Sequence, residues 1–533
     1  MLIDIQEFGG EFPAVDADAL PLVVATTALD CDLSLGTLKP FQTDRKVSDL
    51  TGDVIWSDDC CYLAFDDCNV SVAQADIGCK YVFVAGNGQP KYASYDDACA
   101  GNWCRLDWPC SMAAPGLSAV SSVNRDFTYE RVSVVYTLVN KYGAESPPSF
   151  PSAAIDVNDS QLLAISGLPT ADAGFCWEKV RIYASRSTYE LPGQKSPKAH
   201  GFFEIAEVAF GTGSVAAQFG KPGNKCMTDN SDPLPVGAWD IAHARSGHLS
   251  ALVANTLRFS ERHQWTSWPE DYAMTVPGTA LAHIAGPQWG YVLTDEAYLA
   301  VRLDMDCKGP RCHAAAPSNN ILPLIAHRSA AMWGDLAFWA THEGLVMALG
   351  TEHRIVSRPW FDAKAWQAIR PDTLIGVVHQ GHYFGKTENR CFRLALPNSL
   401  HAEHKSAGAL VSLSINPTAF HVTRDGRLLF ATADGIFEWS RGDDFKPYVW
   451  ERRNWEAPGS VGLSTWKLDF KYGHPSKVEH YVGDTTLQTK APATSKEPTK
   501  LPICKNTRWG VRIEGTSELS RYRLATSIKE LNK

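Results

Sequence analysis

DLAFWATHEGLVMAL, residues 335–349, reads as a strand, a short polar turn and a second strand. Apolar residues alternate on both sides of Glu343-Gly344, the pattern of a half-buried antiparallel hairpin and not of a helix. The same plan recurs in GYVLTDEAYLAV (290–301), HYFGKTENRCFRLAL (382–396) and RLLFATADGIFEW (427–439). A threonine ends the first strand each time, at Thr294, Thr341, Thr387 and Thr432, at intervals of 47, 46 and 45 residues. A looser copy, HLSALVANTLRF (248–259), precedes the array, and YVFVAGNGQPKYAS (81–94) is a remote one. The threonines and the acidic residues that follow them are read as turn chemistry.

A period near 45 residues accommodates four short strands, the size of one propeller blade. Such hairpins bury their apolar faces only against neighbours. The expectation is therefore an all-β chain whose main body is a closed β-propeller of about five to seven blades. Between the remote copy and the array the pattern changes. FTYERVSVVYTLVNKYGAESPPSFPSAAIDV (127–157) holds a long strand, a Tyr142-Gly143 turn and a proline-broken edge at Ser146-Pro147-Pro148. LLAISGLP (162–169), WEKVRIYASRSTYE (177–190) and GFFEIAEVAF (201–210) add three strands, at the spacing of a fibronectin-III-like β-sandwich. Four regions are expected: 1–118 contributing to the propeller, 119–236 as the inserted sandwich, 237–470 as the main blades, and 471–533 as C-terminal strands with an exposed arm near 481–500.

Four segments carry a resemblance. VVYTLVNKYGAESPPSFPS (134–152), VRIYASRS (180–187), FSERHQWTSWPEDYAMTV (259–276) and RSAAMWGDLAFWATHEGLVMAL (328–349) resemble stretches of the nozzle, or tail tubular B-type, proteins of short-tailed bacteriophages. The chain departs from them in having Ala144 before the single acidic Glu145. The resemblance implies a structural virion protein of the phage tail, assembled in the host cytoplasm. It implies a homo-oligomeric, hexameric ring that docks on the portal-adaptor ring, anchors tail fibre or spike proteins, and passes DNA during ejection without reading its sequence. The alternative is a propeller-type glycan-binding or glycan-cleaving tail component.

Composition narrows the chemistry. Hydrophobic residues make up 44% and charged residues 20%, which favours an ordered fold over disorder. The net charge of −9 lacks the basic footprint of a protein that grips nucleic acid by its phosphates. No basic stretch precedes an apolar run at the N-terminus, and no run of 18 apolar residues occurs, so neither a signal peptide nor a membrane span is expected. Seven of the 14 cysteines fall between Cys60 and Cys110. Cytoplasmic folding argues for free thiols there, with disulfides or a metal site as alternatives.

No catalytic, cofactor-binding or metal-binding residue is assigned, no cofactor is expected, and the chain is read as not being an enzyme. Nucleophile-elbow, phosphate-loop and dinucleotide motifs are missing. Cys307 with Cys312-His313 lacks a second ligand pair, and His401 with His404 lacks the H-E-x-x-H frame. His379 and His382 flank Gln380-Gly381 in what reads as a loop. The turn carboxylates Asp295, Glu296, Glu343, Glu388 and Asp434 recur at equivalent places and do not converge as an acid and a base. Trp265, Trp268, Trp333, Trp339, Trp360, Trp366, Trp439, Trp450 and Trp455 are read first as packing residues, second as a sugar-stacking surface.

Overall fold

In a computed structural model, each threonine-ended hairpin forms, and the threonine holds its turn. The structure describes residues 1–86, 88–109, 111–120, 130–157, 161–186, 201–219, 223–227, 231–244, 246–306, 309–311, 322–402, 410–471, 477–491 and 497–531. Trp289–Thr294 pairs with Tyr298–Arg302, Leu336–Thr341 with Gly344–Leu349, His382–Lys386 with Cys391–Ala395, and Leu428–Thr432 with Gly435–Glu438, all antiparallel. Thr341 Oγ1 donates to the Gly344 carbonyl at 2.9 Å and accepts from the Glu343 amide at 3.2 Å. Thr294 does the same across its turn with Ala297 and Glu296. A strand end that would expose unpaired backbone groups is thus closed by one side chain.

The chain divides into two compact units, one formed by residues 1–68, 277–302 and 313–533, the other by 69–276 and 303–312. In the first unit the hairpins stack face to face. Tyr291, Leu293 and Ala300 pack on Trp339, Val346 and Ala348. The opposite face of that hairpin, with Phe338, Leu345 and Met347, packs on Tyr383, Phe392 and Leu394. Phe384 and Cys391 then meet Leu428 and Phe430.

The expected closed propeller of five to seven blades is not what these strands build. They form many open sheets, most of two to four antiparallel strands and one of nine, and the repeats are not equivalent. The hairpin of His382–Lys386 and Cys391–Ala395 does not end as a four-stranded unit. Its sheet continues through Leu410–Ser412, which lies parallel to Thr27–Leu29, into the long strand Tyr448–Val461 and on to Asn506–Gly515, Lys477–Val482 and Thr485–Lys490. A 45-residue period gives every hairpin two apolar faces but does not dictate what covers them. Here a remote sheet extends one hairpin while Arg45–Ser48 completes another, beside Gly435–Glu438. The C-terminal strands pair within their own chain, and Trp450, Trp466, Trp509 and Tyr522 fill a core between two sheets.

In the second unit, Ser71–Ile77, Cys79–Ala85, Lys91–Ser94 and Cys104–Arg105 make one four-stranded sheet, and Ala238–His243, Leu249–Val253, Thr256–Phe259 and Ala273–Thr275 another. They share a core of Phe83, Tyr92, Leu249, Trp265 and Trp268. The fibronectin-III-like insert is also corrected. Two three-stranded sheets, Gly116–Val120 with Leu162–Ser166 and Ser214–Gln218, and Val134–Asn140 with Trp177–Arg186 and Gly201–Ala209, enclose a core that includes Trp108 and Met112.

Prolines explain the missing strand beside Val134–Asn140, because they remove the amide donors that a ladder needs. Serines at every third position of SPPSFPS take its place. The amides of Ser146, Ser149 and Ser152 donate to the carbonyls of Leu138, Tyr136 and Val134. Their hydroxyls accept from the amides of the same three residues at 2.9, 3.1 and 2.9 Å. No helix among the described residues is long and apolar enough to cross a membrane.

Candidate functional site: an aromatic cleft

The second unit holds a cleft of about 420 Å³, within the roughly 300–1,000 Å³ range of small-molecule sites. Three separate pieces of chain form its aromatic wall. Tyr81 stands on the strand Cys79–Ala85, Tyr142 on the turn after Val134–Asn140, and Trp265 on the loop after Thr256–Phe259. The Tyr81 ring meets Trp265 at 5.0 Å and Tyr142 at 5.5 Å between centroids, edge to face in both cases. Tyr92 lies behind them, stacked on Phe83. Trp265 is 9% exposed, so its edge faces the cleft while its body packs in the core.

Polar groups fix the wall. Tyr142 donates its hydroxyl proton to Asp97 at 2.8 Å and accepts from the Ser94 amide at 3.0 Å. Lys141 lies 3.0 Å from the same Asp97 carboxylate. Lys141, with Tyr142 and Ser94, holds the Asp97 carboxyl below its ordinary range despite the burial that opposes this. Burial in turn pushes the Tyr142 and Tyr81 phenols up, so both remain hydroxyls at neutral pH. Asn140 donates to the Tyr92 hydroxyl at 2.5 Å. The Cys104–Cys176 disulfide ties the sheet bearing Tyr81 and Tyr92 to the segment beside Tyr142, where the Lys141 amide donates to the Cys176 carbonyl.

The rim is open and uncharged where it would meet a ligand. Gln264 and His263 are exposed, and Ser231 is half-buried. The lining carboxylate, Glu145, is fully engaged. It accepts from Thr137 at 2.6 Å, Tyr183 at 2.5 Å and Arg181 at 2.6 Å.

The Tyr142-Gly143 turn, Glu145 and Ser146 of the sequence reading line this cleft, as does Trp265, whereas the turn carboxylates, the other tryptophans and the paired histidines weighed there fall elsewhere. Glu343 pairs with Arg358 at 2.5 Å and Glu388 with Arg370 at 3.1 Å. Asp295 accepts from the Thr279 amide, which lowers its pKa, and the Asp434 amide donates to Thr432. Each turn carboxylate is thus placed at its own turn. Trp268, Trp339, Trp360, Trp366, Trp439 and Trp450 are buried in cores. His379 and His382 share a second cleft, in the first unit. His401 faces Glu352 at 3.4 Å. Cys307, Cys312, His313, His404 and Cys110 lie outside the described residues, as does the loop at 191–200. Among the described residues no group of three or more His, Cys, Asp or Glu is placed to hold a metal.

Between Cys60 and Cys110 the thiols are mixed: Cys60, Cys68 and Cys79 are free as expected, while Cys61, Cys99 and Cys104 take the disulfide alternative. Cys61, Cys99, Cys104 and Cys176 are disulfide-bonded, whereas Cys31, Cys60, Cys68, Cys79, Cys226, Cys391 and Cys504 are free. Folding brings Cys104 and Cys176 within 5.5 Å between Cα atoms although 72 residues separate them.

No family model matches the chain, and no curated protein matches it. Solved structures give faint likenesses. The extracellular domain of a hybrid two-component system from B. thetaiotaomicron is 11% identical, with 65% of this chain and 44% of that one covered and a TM-score of 0.26. The WD40 domain of coronin from Toxoplasma gondii is 11% identical, with 80% and 88% covered and a TM-score of 0.26. An exo-beta-1,3-galactanase from Phanerochaete chrysosporium, solved with galactose, is 9% identical, with 85% and 95% covered and a TM-score of 0.17. The chain spans less than half the length of the first of these. At such scores these likenesses carry no argument about fold or activity.

The resemblance to phage tail nozzle proteins is corrected here. The closed propeller that the resemblance implied is not built, because the strands form open sheets. The segments that carried the resemblance have plain structural uses. The serines of 146–152 close a strand edge, Arg181 and Tyr183 hold Glu145, and Ser260 accepts from the Leu249 amide at 2.9 Å. Short motifs of this kind serve edges and turns in any β-rich chain. The tail-nozzle function and the virion role that went with it fall with the resemblance. The hexamer, adaptor, fibre and DNA-passage expectations rested on that resemblance alone.

Proposed function

We propose that the chain is a glycan-binding protein whose site is the aromatic cleft of residues 69–276. The observation that carries this reading is the convergence of Tyr81, Tyr142 and Trp265 on one cavity with the Gln264 amide and the Ser231 hydroxyl at its rim. A sugar ring offers an apolar C–H face to an aromatic wall and hydroxyls to neutral polar groups, and this cleft holds both kinds of surface. Tyr142 is anchored through Asp97 and Ser94, so little side-chain freedom is lost when a ligand stacks on it.

Binding without cleavage is the form we favour. Sugar hydrolysis needs two carboxyl groups facing each other across the bond, about 5–10 Å apart. The lining carboxylate Glu145 is held by Thr137, Tyr183 and Arg181, and Asp97, which anchors Tyr142, is held by Lys141, Tyr142 and Ser94. The Cys104–Cys176 bond supports a place of work outside a reducing cytosol, since disulfides persist in oxidising surroundings.

Calorimetric titration of the full chain with a panel of neutral oligosaccharides tests the reading. At least one is expected to bind with one site per chain, and Gln264→Ala, on the exposed rim, is expected to weaken it about tenfold, the loss of roughly one good hydrogen bond. Absence of binding across the panel, or binding indifferent to both Gln264→Ala and Tyr81→Ala, overturns it. Release of reducing ends from a bound oligosaccharide would replace binding with cleavage.

A further inference from the structure

The second cleft, of about 230 Å³, lies wholly within the first unit. Its lining brings together Arg393, Arg427, Arg441, His379 and His382, with Asp32 and Glu438 as the acids. Both acids are already engaged. Asp32 accepts from the Ser34 amide at 3.1 Å and from Arg393 at 3.2 Å. Glu438, 3% exposed at its side chain, is held by Arg45 at 2.5 Å. Arg427 is held by Asp425 at 2.6 Å.

Arg441 and the second guanidinium nitrogen of Arg393 are under-matched. Arg441 comes no closer than 3.8 Å to Glu438, and its side chain is 63% exposed at the cleft. Arg393 is half-buried, with its side chain 14% exposed and its guanidinium 5.3 Å from the Phe41 ring. Its Nη2 group lies 3.4 Å from His382 Nδ1, while that same nitrogen lies 2.9 Å from the Gln380 carbonyl. One ring nitrogen cannot serve both. The shorter contact requires a proton on Nδ1 that is donated to Gln380, so Arg393 Nη2 faces a donor. Burial, and next to it the Arg393 charge, pushes His382 down to about 4, and the same two causes with Arg441 lower His379. The cleft is thus a place where positive charge is in excess, beside two imidazoles that burial and, next to it, that charge keep neutral.

We propose that this cleft binds a small oxyanion, a carboxylate, sulfate or phosphate group, held by Arg393 and Arg441 with His379 and His382 alongside. An oxyanion supplies the acceptor that Arg393 Nη2 lacks and the counter-charge that Arg441 lacks. It also offsets the arginine charge that adds to burial in keeping the imidazoles neutral, so binding raises their pKa values and strengthens as pH falls. The groups facing these imidazoles are Asp32, Arg393, Arg427, Glu438 and Arg441, and an added anion tips their balance toward protonation. The site is independent of the aromatic cleft and of the glycan reading.

Histidine-selective NMR of the full chain tests this, with sodium sulfate, phosphate and acetate titrated separately at constant ionic strength and pH 6. The His379 and His382 ring signals are expected to shift saturably, and preference between sulfate or phosphate and acetate distinguishes a tetrahedral from a planar group. Arg441→Gln is expected to weaken binding about tenfold, the loss of one charge-assisted contact. Arg358→Gln, on the separate Glu343 turn, is expected to leave it unchanged. The proposal is overturned if none of the three anions gives a saturable shift, or if both substitutions weaken binding equally.

Discussion

The turn threonines of the first unit and Tyr142 of the second are both hydroxyl residues beside a turn, and they use that hydroxyl at opposite ranges. Thr341 bonds to Gly344 and Glu343, within three residues. Tyr142 bonds to Asp97 and Ser94, 45 and 48 residues away. The threonine turn forms wherever its hairpin forms, whereas the tyrosine contact exists only once two sheets have found each other. Local contacts of the first kind make a repeat. Contacts of the second kind make a site, because they hold side chains from several segments in one place.

Removing a long-range tie should therefore cost more than removing a local one. The largest effect is expected from Cys104→Ser. Opening a loop of 72 residues is worth about 4 kcal/mol. Urea denaturation of the second unit, with and without reductant, measures it, and an unchanged midpoint would break the contrast.

Next comes pH. His480 is fully buried against Trp466, its Nε2 lies 3.0 Å from the Tyr522 hydroxyl, and its Nδ1 has no partner among the described residues. Burial pushes its pKa down to about 3 from an ordinary 6.5. Between those values the unfolded chain binds the extra proton, so this stability is present above pH 6.5 and is lost as pH falls toward 3. The loss between pH 7 and pH 5 is about 2 kcal/mol for this one group. The slope of denaturation free energy against pH should flatten by close to one proton in His480→Gln.

Ser149→Ala removes the acceptor of the buried Tyr136 amide and is expected to cost about 1–2 kcal/mol. The smallest effect belongs to the local turn. Thr341→Val keeps the shape and loses two short-range bonds, one of them to an amide that water can reach, for about 1 kcal/mol. Thermal denaturation of the two variants side by side sharpens the contrast, and a Thr341→Val loss exceeding that of Ser149→Ala would reverse it.

The same division explains what could be read in advance. The hairpins and their threonine turns were legible because strand alternation and turn chemistry act over a few residues. Tyr81, Tyr142-Gly143 and Trp265 each lay in a segment that stood out, as a remote hairpin, a turn and an aromatic-rich loop. Nothing in their spacing signalled that they meet. The cysteine cluster at 60–110 drew attention inward, yet the partner of Cys104 lies outside it at Cys176. The propeller expectation failed at the same point, since a repeat of similar hairpins leaves open which sheet covers which face, and here a nine-stranded sheet absorbs one of them.

What the sequence determined by itself was a β-rich chain of hairpins with self-sufficient turns, and a proline-broken edge at Ser146-Pro147-Pro148. Only the tertiary structure decided the aromatic cleft, the arginine–histidine cleft and the Cys104–Cys176 tie. The reason is physical. Turn and edge bonds are satisfied by near neighbours along the chain, whereas a cavity is defined by side chains from distant segments whose meeting depends on the packing of whole sheets.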